Sequence, residues 1–167
     1  KLKSFSQSLL IANKRHNFIS KNTEKDIWQR HILDSAQLIK FIDFKKGSLA
    51  DLGSGAGFPG MVLAIFNTNL NFKVKLYEKS PVKRIFLEEL ITKYDINAEI
   101  FANVYDSVLE SEYIVSRAFK KIEKIIQVSR EIIKNPHKLI ILKGKNAQDE
   151  INKAFKSNKY DYKLEKS

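Results

Sequence analysis

Asp51-Leu52-Gly53-Ser54-Gly55-Ala56-Gly57-Phe58-Pro59-Gly60 lies between a short apolar run, Ser48–Asp51, and a helix-forming run, Gly60–Phe66. A strand therefore turns into a helix through glycines. Glycine at 53, 55 and 57 tolerates positive φ and lets backbone approach a ligand closely, while Pro59 presets φ for a first helical turn. A loop of this kind at the carboxyl end of a first strand sits near the switch point where open α/β sheets bind ligands.

Several readings of the turn compete. A dinucleotide site asks for G-x-G-x-x-G, but counting from Gly53 puts Phe58 where the third glycine belongs. A Walker loop needs Gly-Lys-Ser/Thr, and Gly144-Lys145 is followed by Asn146. Acid-x-G-x-G-x-G is the S-adenosylmethionine turn, with Asp51, Gly53, Ser54, Gly55, Gly57 and Phe58 as its candidate residues. In that reading the second strand ends in an acid that accepts hydrogen bonds from ribose hydroxyls, and Glu78 is placed for the task. A loop that merely turns the chain is the remaining possibility, and three alternating glycines with a strand-end acid weigh against it.

Outward from the turn, apolar runs alternate with helical ones, as in a parallel α/β sheet. Strands are expected at Ser48–Asp51, Phe72–Glu78, Ala98–Phe101, Tyr113–Ser116 and Leu139–Lys143, with a sixth starting near Tyr160. Helices are expected at Gly60–Phe66, Val82–Tyr94, Val104–Leu109 and Phe119–Lys134, the last stopped by Asn135-Pro136. In front, Leu2, Phe5, Leu9 and Leu10, then Ile27, Trp28, His31, Ile32, Ser35, Leu38, Ile39 and Ile42, have helical spacing. Thr23 is placed to cap the second of these helices. The expected architecture is one domain: a helical extension over residues 1–46, then a Rossmann-like core over 47–167 with helices on both faces of a mostly parallel sheet. Its closing edge strand is missing from the sequence, which starts at Lys1 without Met and reads as a piece of a longer product.

Composition limits the chemistry. The 167 residues are 43% hydrophobic, enough for one ordinary core. Runs such as Met61–Phe66 and Leu139–Leu142 are far below the roughly 18 apolar residues of a membrane span. Cys is absent, which removes disulfides, thiolate metal sites and a Cys nucleophile, and fits a reducing, cytoplasmic setting. Lys+Arg number 30 against 19 Asp+Glu, a net +11, and the first 50 residues hold ten against four. Such a field favours polyanions, because each phosphate neutralised releases counterions.

Six further stretches carry a family resemblance. Gly57-Phe58-Pro59-Gly60 continues into Leu63-Ala64-Ile65, and around it stand Asn17-Phe18-Ile19-Ser20, His31-Ile32-Leu33-Asp34-Ser35, Lys83-Arg84-Ile85-Phe86-Leu87, Ser116-Arg117-Ala118-Phe119 and Leu142-Lys143-Gly144. In this order, from residue 17 to 144, they resemble the small-subunit ribosomal RNA methyltransferase G family, also called the glucose-inhibited division B proteins. The resemblance implies a class I S-adenosylmethionine-dependent fold and methyl transfer to N7 of a guanosine, guanosine 527 in the 530 loop of 16S rRNA. S-adenosylhomocysteine would be the product, the small ribosomal subunit the partner, no metal would be needed and a monomer is expected. It also implies cofactor contacts at Gly53, Phe58, Val104, Tyr105 and Arg117. The chain departs from the family at Asn103-Val104-Tyr105-Asp106, where Arg followed by an acid is more usual.

Guanine N7 has a lone pair and no proton, so its methylation needs no general base. Rate would come from near-attack geometry and a field that tolerates charge moving onto the base. Pyrimidine C5 transfer usually needs Cys, and exocyclic amine transfer usually shows Asp/Asn-Pro-Pro-aromatic where this chain has Ser116-Arg117-Ala118-Phe119. The deep major groove of A-form RNA hides N7, so a loop or opened region is the expected target. Arg117 and Lys143 are positioning candidates, and Lys14, Arg15, Lys83, Arg84 and Lys143 are candidates for RNA phosphates. His31 and Asp34, three apart, are neighbours on one helical face and are expected to share a hydrogen bond that packs the front helices. Trp28 and Phe119 read better as core than as base-stacking platforms. A small-molecule methyltransferase and a non-catalytic RNA-binding module remain alternatives on this fold.

Overall fold

A computed structural model describes residues 1–105, 109–117, 119–155 and 161–165. Five parallel strands form one sheet: β1 (Ser48–Leu52), β2 (Lys73–Tyr77), β3 (Ala98–Phe101), β4 (Tyr113–Arg117) and β5 (Lys138–Leu142), in the order β3-β2-β1-β4-β5. The order reverses between β1 and β4, whose register pairs Ala50 with Ile114. All five residues of β1 are buried, as a central strand covered on both faces must be.

The helices are α1 (Leu2–His16), α2 (Lys21–Glu24), α3 (Asp34–Ala36), α4 (Gly60–Phe66), α5 (Pro81–Tyr94), α6 (Ile122–Ile132) and α7 (Ala147–Ala154). Helix α4 starts where expected and α5 one residue earlier, with Pro81 in its first turn. Phe5 and Leu9 of α1 are fully buried in the same apolar cluster as Leu49, Met61, Val74 and Leu87, so the front extension completes one face of the sheet. On the other face Val128 and Ile132 of α6 cover Ala50, Leu52 and Ile114.

Several expectations need correction. The front helix read over residues 27–42 is not one α-helix: Trp28–Leu33 is π-helical, α3 follows, and Gln37–Phe41 closes as a 3₁₀ turn. Thr23 lies inside α2 and accepts no capping role; Ser20 holds the N-cap position. Trp28 is not core, since 44% of it is exposed. Val104 and Tyr105 form a turn and Leu109 has no regular structure, and the middle of the helix expected at 104–109 lies outside the described residues. Helix α7 occupies a stretch for which no element was expected. The start of the expected sixth strand, Tyr160, lies outside the described residues, and 161–165 carry no strand. Among the described residues no helix is long and apolar enough to cross a membrane.

Candidate functional site

The carboxyl ends of β1, β2 and β4 open onto a cavity of about 580 Å³. Its floor is the glycine turn. Backbone N–H groups of Gly53 and Ser54 both donate to the carbonyl of Tyr77, at 2.9 Å each, which pins the turn to the end of β2. Gly53, Gly55 and Gly57 have φ of 77°, 57° and 99°, the left-handed region that disfavours side chains. A Cβ on Gly53 would strike the Phe119 ring, one on Gly57 would press on Met61 and Leu87, and one on Gly55 would meet only the Gly53 carbonyl oxygen at 3.9 Å. Gly55 thus keeps a side chain out of the cavity.

Glu78, one residue past β2, spans the turn. Its Oε2 accepts from Gly55 N–H at 2.8 Å and its Oε1 from Ser80 N–H at 2.7 Å. Each carboxylate oxygen has two acceptor sites, so both retain capacity for a ligand hydroxyl. Arg84 Nη1 donates to the carbonyls of Glu78 and Lys79 at 3.0 and 2.7 Å, bracing the same corner.

Across the cavity stands Arg117, the last residue of β4. Its Nη2 lies 2.8 Å from His31 Nδ1, its Nη1 donates to the Arg30 carbonyl at 3.1 Å, and Asp34 Oδ2 is 3.9 Å away. His31 and Asp34 therefore do not bond to each other; both face Arg117, which fastens the front extension to the sheet. The guanidinium lies 4.9 Å over the Phe58 ring, and the His31 ring stacks on the same phenyl at 4.9 Å. Burial, then the charges of Arg117 and Arg30, lower the His31 pKa to about 4, so the imidazole is neutral.

Phe18, Ile19, Lys79, Lys83, Ala102, Val104 and Phe119 complete the wall. Asn13 builds the Phe18-Ile19 part: its amide donates to the Ile19 carbonyl at 3.0 Å and accepts from Ile19 N–H at 2.8 Å. Lys14 and Arg15 lie exposed in the last turn of α1, whose C-terminal cap, Asn17 at φ 49°, leads directly into that wall.

Four candidates are placed otherwise than expected. Asp51 is completely buried beneath the turn and does not line this cavity: Oδ2 accepts from Gly60 N–H at 2.9 Å while Oδ1 has no partner among the described residues. Gly57 likewise faces the core. Tyr105 turns outward, its hydroxyl 3.1 Å from Glu131 Oε2, leaving Val104 as the wall residue. Lys143 is engaged by the Lys120 carbonyl at 2.6 Å and by Glu150 at 2.9 Å, tying the residues just before α6 to α7. Phe119, read as core, does pack against the cluster of Ala50, Leu52 and Ile114, and it also covers Gly53 and lines the cavity. Among the described residues no three His, Asp or Glu side chains gather to hold a metal.

Burial raises the Asp51 pKa to about 7, against a partial offset from its bond with Gly60 N–H. Native chains therefore bind more protons than unfolded ones between about pH 4 and 7, and stability falls as pH rises through that window. His31 acts oppositely: with its folded pKa below the unfolded one, stability is lost as pH falls from about 6.5 to 4. Asp51→Asn keeps an oxygen for Gly60 and removes the first titration only. Its melting temperature relative to the parent chain is expected to improve steadily from pH 5 to pH 8, by on the order of a few kcal/mol in stability. A pH-independent difference would show that Asp51 is ionised throughout.

An S-adenosylmethionine-dependent O-methyltransferase from Thermotoga maritima superposes with a TM-score of 0.61 at 20% identity, over 79% of this chain and 53% of that one. Precorrin-6y C5,15-methyltransferase from Geobacter metallireducens does so with a TM-score of 0.58 at 13% identity, over 73% of this chain and 68% of that one. These likenesses establish the Rossmann-like fold. In sequence, ribosomal RNA small subunit methyltransferase G of Rickettsia felis is 39% identical over 100% of this chain and 85% of its own length. Its counterpart in Pelagibacter ubique is 34% identical over 98% and 79%. Since the family model described as rRNA small subunit methyltransferase G, GidB, also matches residues 1–167 throughout, the chain belongs to that family.

Proposed function

We propose that the cavity binds S-adenosylmethionine and that the chain uses it to methylate small-subunit ribosomal RNA at N7 of a guanosine, in the 530 loop of 16S rRNA. The observation that carries this reading is the Gly55–Glu78 pair: a glycine that leaves the floor open, hydrogen-bonded to a strand-end carboxylate with spare acceptor sites. Gly53, Ser54, Gly55 and Ala56 form a cradle of backbone for the nucleoside, Glu78 takes the ribose hydroxyls, and Val104 and Phe119 supply apolar cover. When bound, S-adenosylmethionine supplies an electrophilic methyl on a sulfonium centre.

The chain's own residues then have to bind, orient and exclude water. Phe18, Ile19 and Phe58 close the side of the cavity toward the front extension, limiting solvent beside the turn. The RNA base arrives with an N7 lone pair that needs no proton removed, and His31, neutral and hydrogen-bonded through Nδ1 to Arg117, is not poised as a base toward it. Positioning is what remains for the protein to supply. Lys83 and Lys79 on the wall, with exposed Lys14 and Arg15 beside the Phe18-Ile19 turn, offer cations for phosphates flanking the target.

A small-molecule methyltransferase would have little use for a net charge of +11. A dinucleotide-dependent oxidoreductase is disfavoured because Phe58, at the third glycine position, fills the corner with its ring. The test is a labelled-methyl assay on small subunits lacking the modification and on a small-molecule extract. Counts are expected in precipitable RNA; counts confined to the soluble fraction would overturn the RNA assignment.

A further inference from the structure

One group on the cavity wall has half of its hydrogen bonding settled and half open. His31 comes from the π-helical segment Trp28–Leu33, a wider turn that recurs at functional sites, and is 9% exposed. Its Nδ1 lies 2.8 Å from Nη2 of Arg117. A guanidinium has only donors and keeps its protons, so Nδ1 is the acceptor and the single proton of the neutral ring resides on Nε2. That Nε2–H is buried and has no acceptor among the described residues, although the ring lines the cavity. A buried donor left open in this way costs stability until an acceptor arrives.

The surroundings select the acceptor. Phe58 fixes the ring from one face and carries the Arg117 guanidinium on its own, so the imidazole and the cation form one rigid wall. Asp34 offsets that cation only from 3.9 Å, and one of its oxygens is taken up by the Gln37 amide at 2.8 Å. An unpartnered N–H donor thus lies buried in this wall beside a positive charge, surroundings that disfavour N–H donors and ammonium groups alike. Hydroxyls already have an acceptor in Glu78, beside Gly55.

We propose that His31 is a positioning residue that donates its Nε2–H to the amino-acid carboxylate of S-adenosylmethionine, with Arg117 supplying the favourable field. This rests on the cofactor reading above. His31 then acts by orienting one end of the molecule while Glu78 holds the other, which fixes where the sulfur between them can lie. The carboxylate is preferred over the carbonyl oxygen of a guanine because it carries the full negative charge that a desolvated guanidinium neighbour rewards.

Calorimetric binding to the full chain, with S-adenosylhomocysteine and with 5′-methylthioadenosine, tests this, since the second ligand keeps the nucleoside and sulfur but lacks the carboxylate. His31→Ala is expected to weaken S-adenosylhomocysteine about 10-fold and leave 5′-methylthioadenosine within about 2-fold. His31→Gln, whose amide sets an acceptor and a donor side by side, is expected to recover most of the loss, and it decides the matter if the alanine variant does not fold. Equal losses for both ligands would reduce His31 to packing and overturn the proposal. Unchanged S-adenosylhomocysteine affinity with a raised KM for RNA would overturn it in favour of the base oxygen. If the unsubstituted chain bound neither nucleoside, the cofactor reading would fall and this proposal with it.

Discussion

Glu78→Ala is expected to lower S-adenosylmethionine affinity by at least about 100-fold while leaving the chain folded. Glu78 contributes twice: it takes ribose hydroxyls, and it holds Gly55 N–H at 2.8 Å and Ser80 N–H at 2.7 Å so that the cradle keeps its shape before a ligand enters. Hydrogen bonds to a charged group are worth about 1.5–3 kcal/mol each, and losing two to the ligand is about two orders of magnitude or more in affinity. The fold is affected less, because Glu78 is only partly buried and water can replace it at both amides. Glu78→Asp would not rescue binding, since a side chain shorter by one carbon cannot span Gly55 and Ser80 together. Calorimetry beside a thermal melt reads both effects; parental affinity in a folded Glu78→Ala chain would remove Glu78 from the site.

Arg117→Ala is expected to damage stability and binding together. The substitution leaves His31 Nδ1 without its donor, Asp34 without its cation and the Arg30 carbonyl without Nη1. Breaking a fully buried ion pair costs about 3–5 kcal/mol. Here the side chains retain 18% and 30% exposure and stand 3.9 Å apart, which lowers the expectation to roughly 2 kcal/mol, a fall of about 4–8 °C in Tm for a chain of this length. Binding of S-adenosylhomocysteine is expected to fall more than about 10-fold. Arg117→Lys should not restore either quantity, because an ammonium cannot reach His31, the Arg30 carbonyl and the Phe58 face from one position. An Arg117→Ala chain with parental Tm and affinity would mean that the front extension is held elsewhere.

The glycine turn and the strands could be read from residues because the signals there are local. Alternating glycines, a proline at a helix start and short apolar runs depend on φ and burial within a few positions. Glu78 is legible for the same reason: it stands just past the end of a strand. What escaped reading depends on distant partners. Asp51 looks like a ligand acid from its spacing, but Gly60 N–H draws its carboxylate under the turn. Lys143 looks like a free cation until α7, unrecognised in a polar stretch, brings Glu150 to 2.9 Å. Tyr105 swings away because Glu131 on α6 lies within reach of its hydroxyl.

The front extension shows the limit of periodicity most clearly. A 3.6-residue pattern over 27–42 cannot report a π turn, and it was this widened segment that carried His31 to Arg117 and left Trp28 on the surface. Phe18 and Ile19 stand in a recognisable motif, yet their place on the cavity wall follows from the buried Asn13 amide, a clasp without a sequence period.

The most direct measurement supplies the chain with labelled S-adenosylmethionine and small ribosomal subunits that lack the modification, digests the RNA to nucleosides and separates them. The label is expected in N7-methylguanosine, and its loss is expected in the Glu78→Ala chain. Label in another nucleoside, or none in RNA from a chain that binds the cofactor, would contradict the assignment.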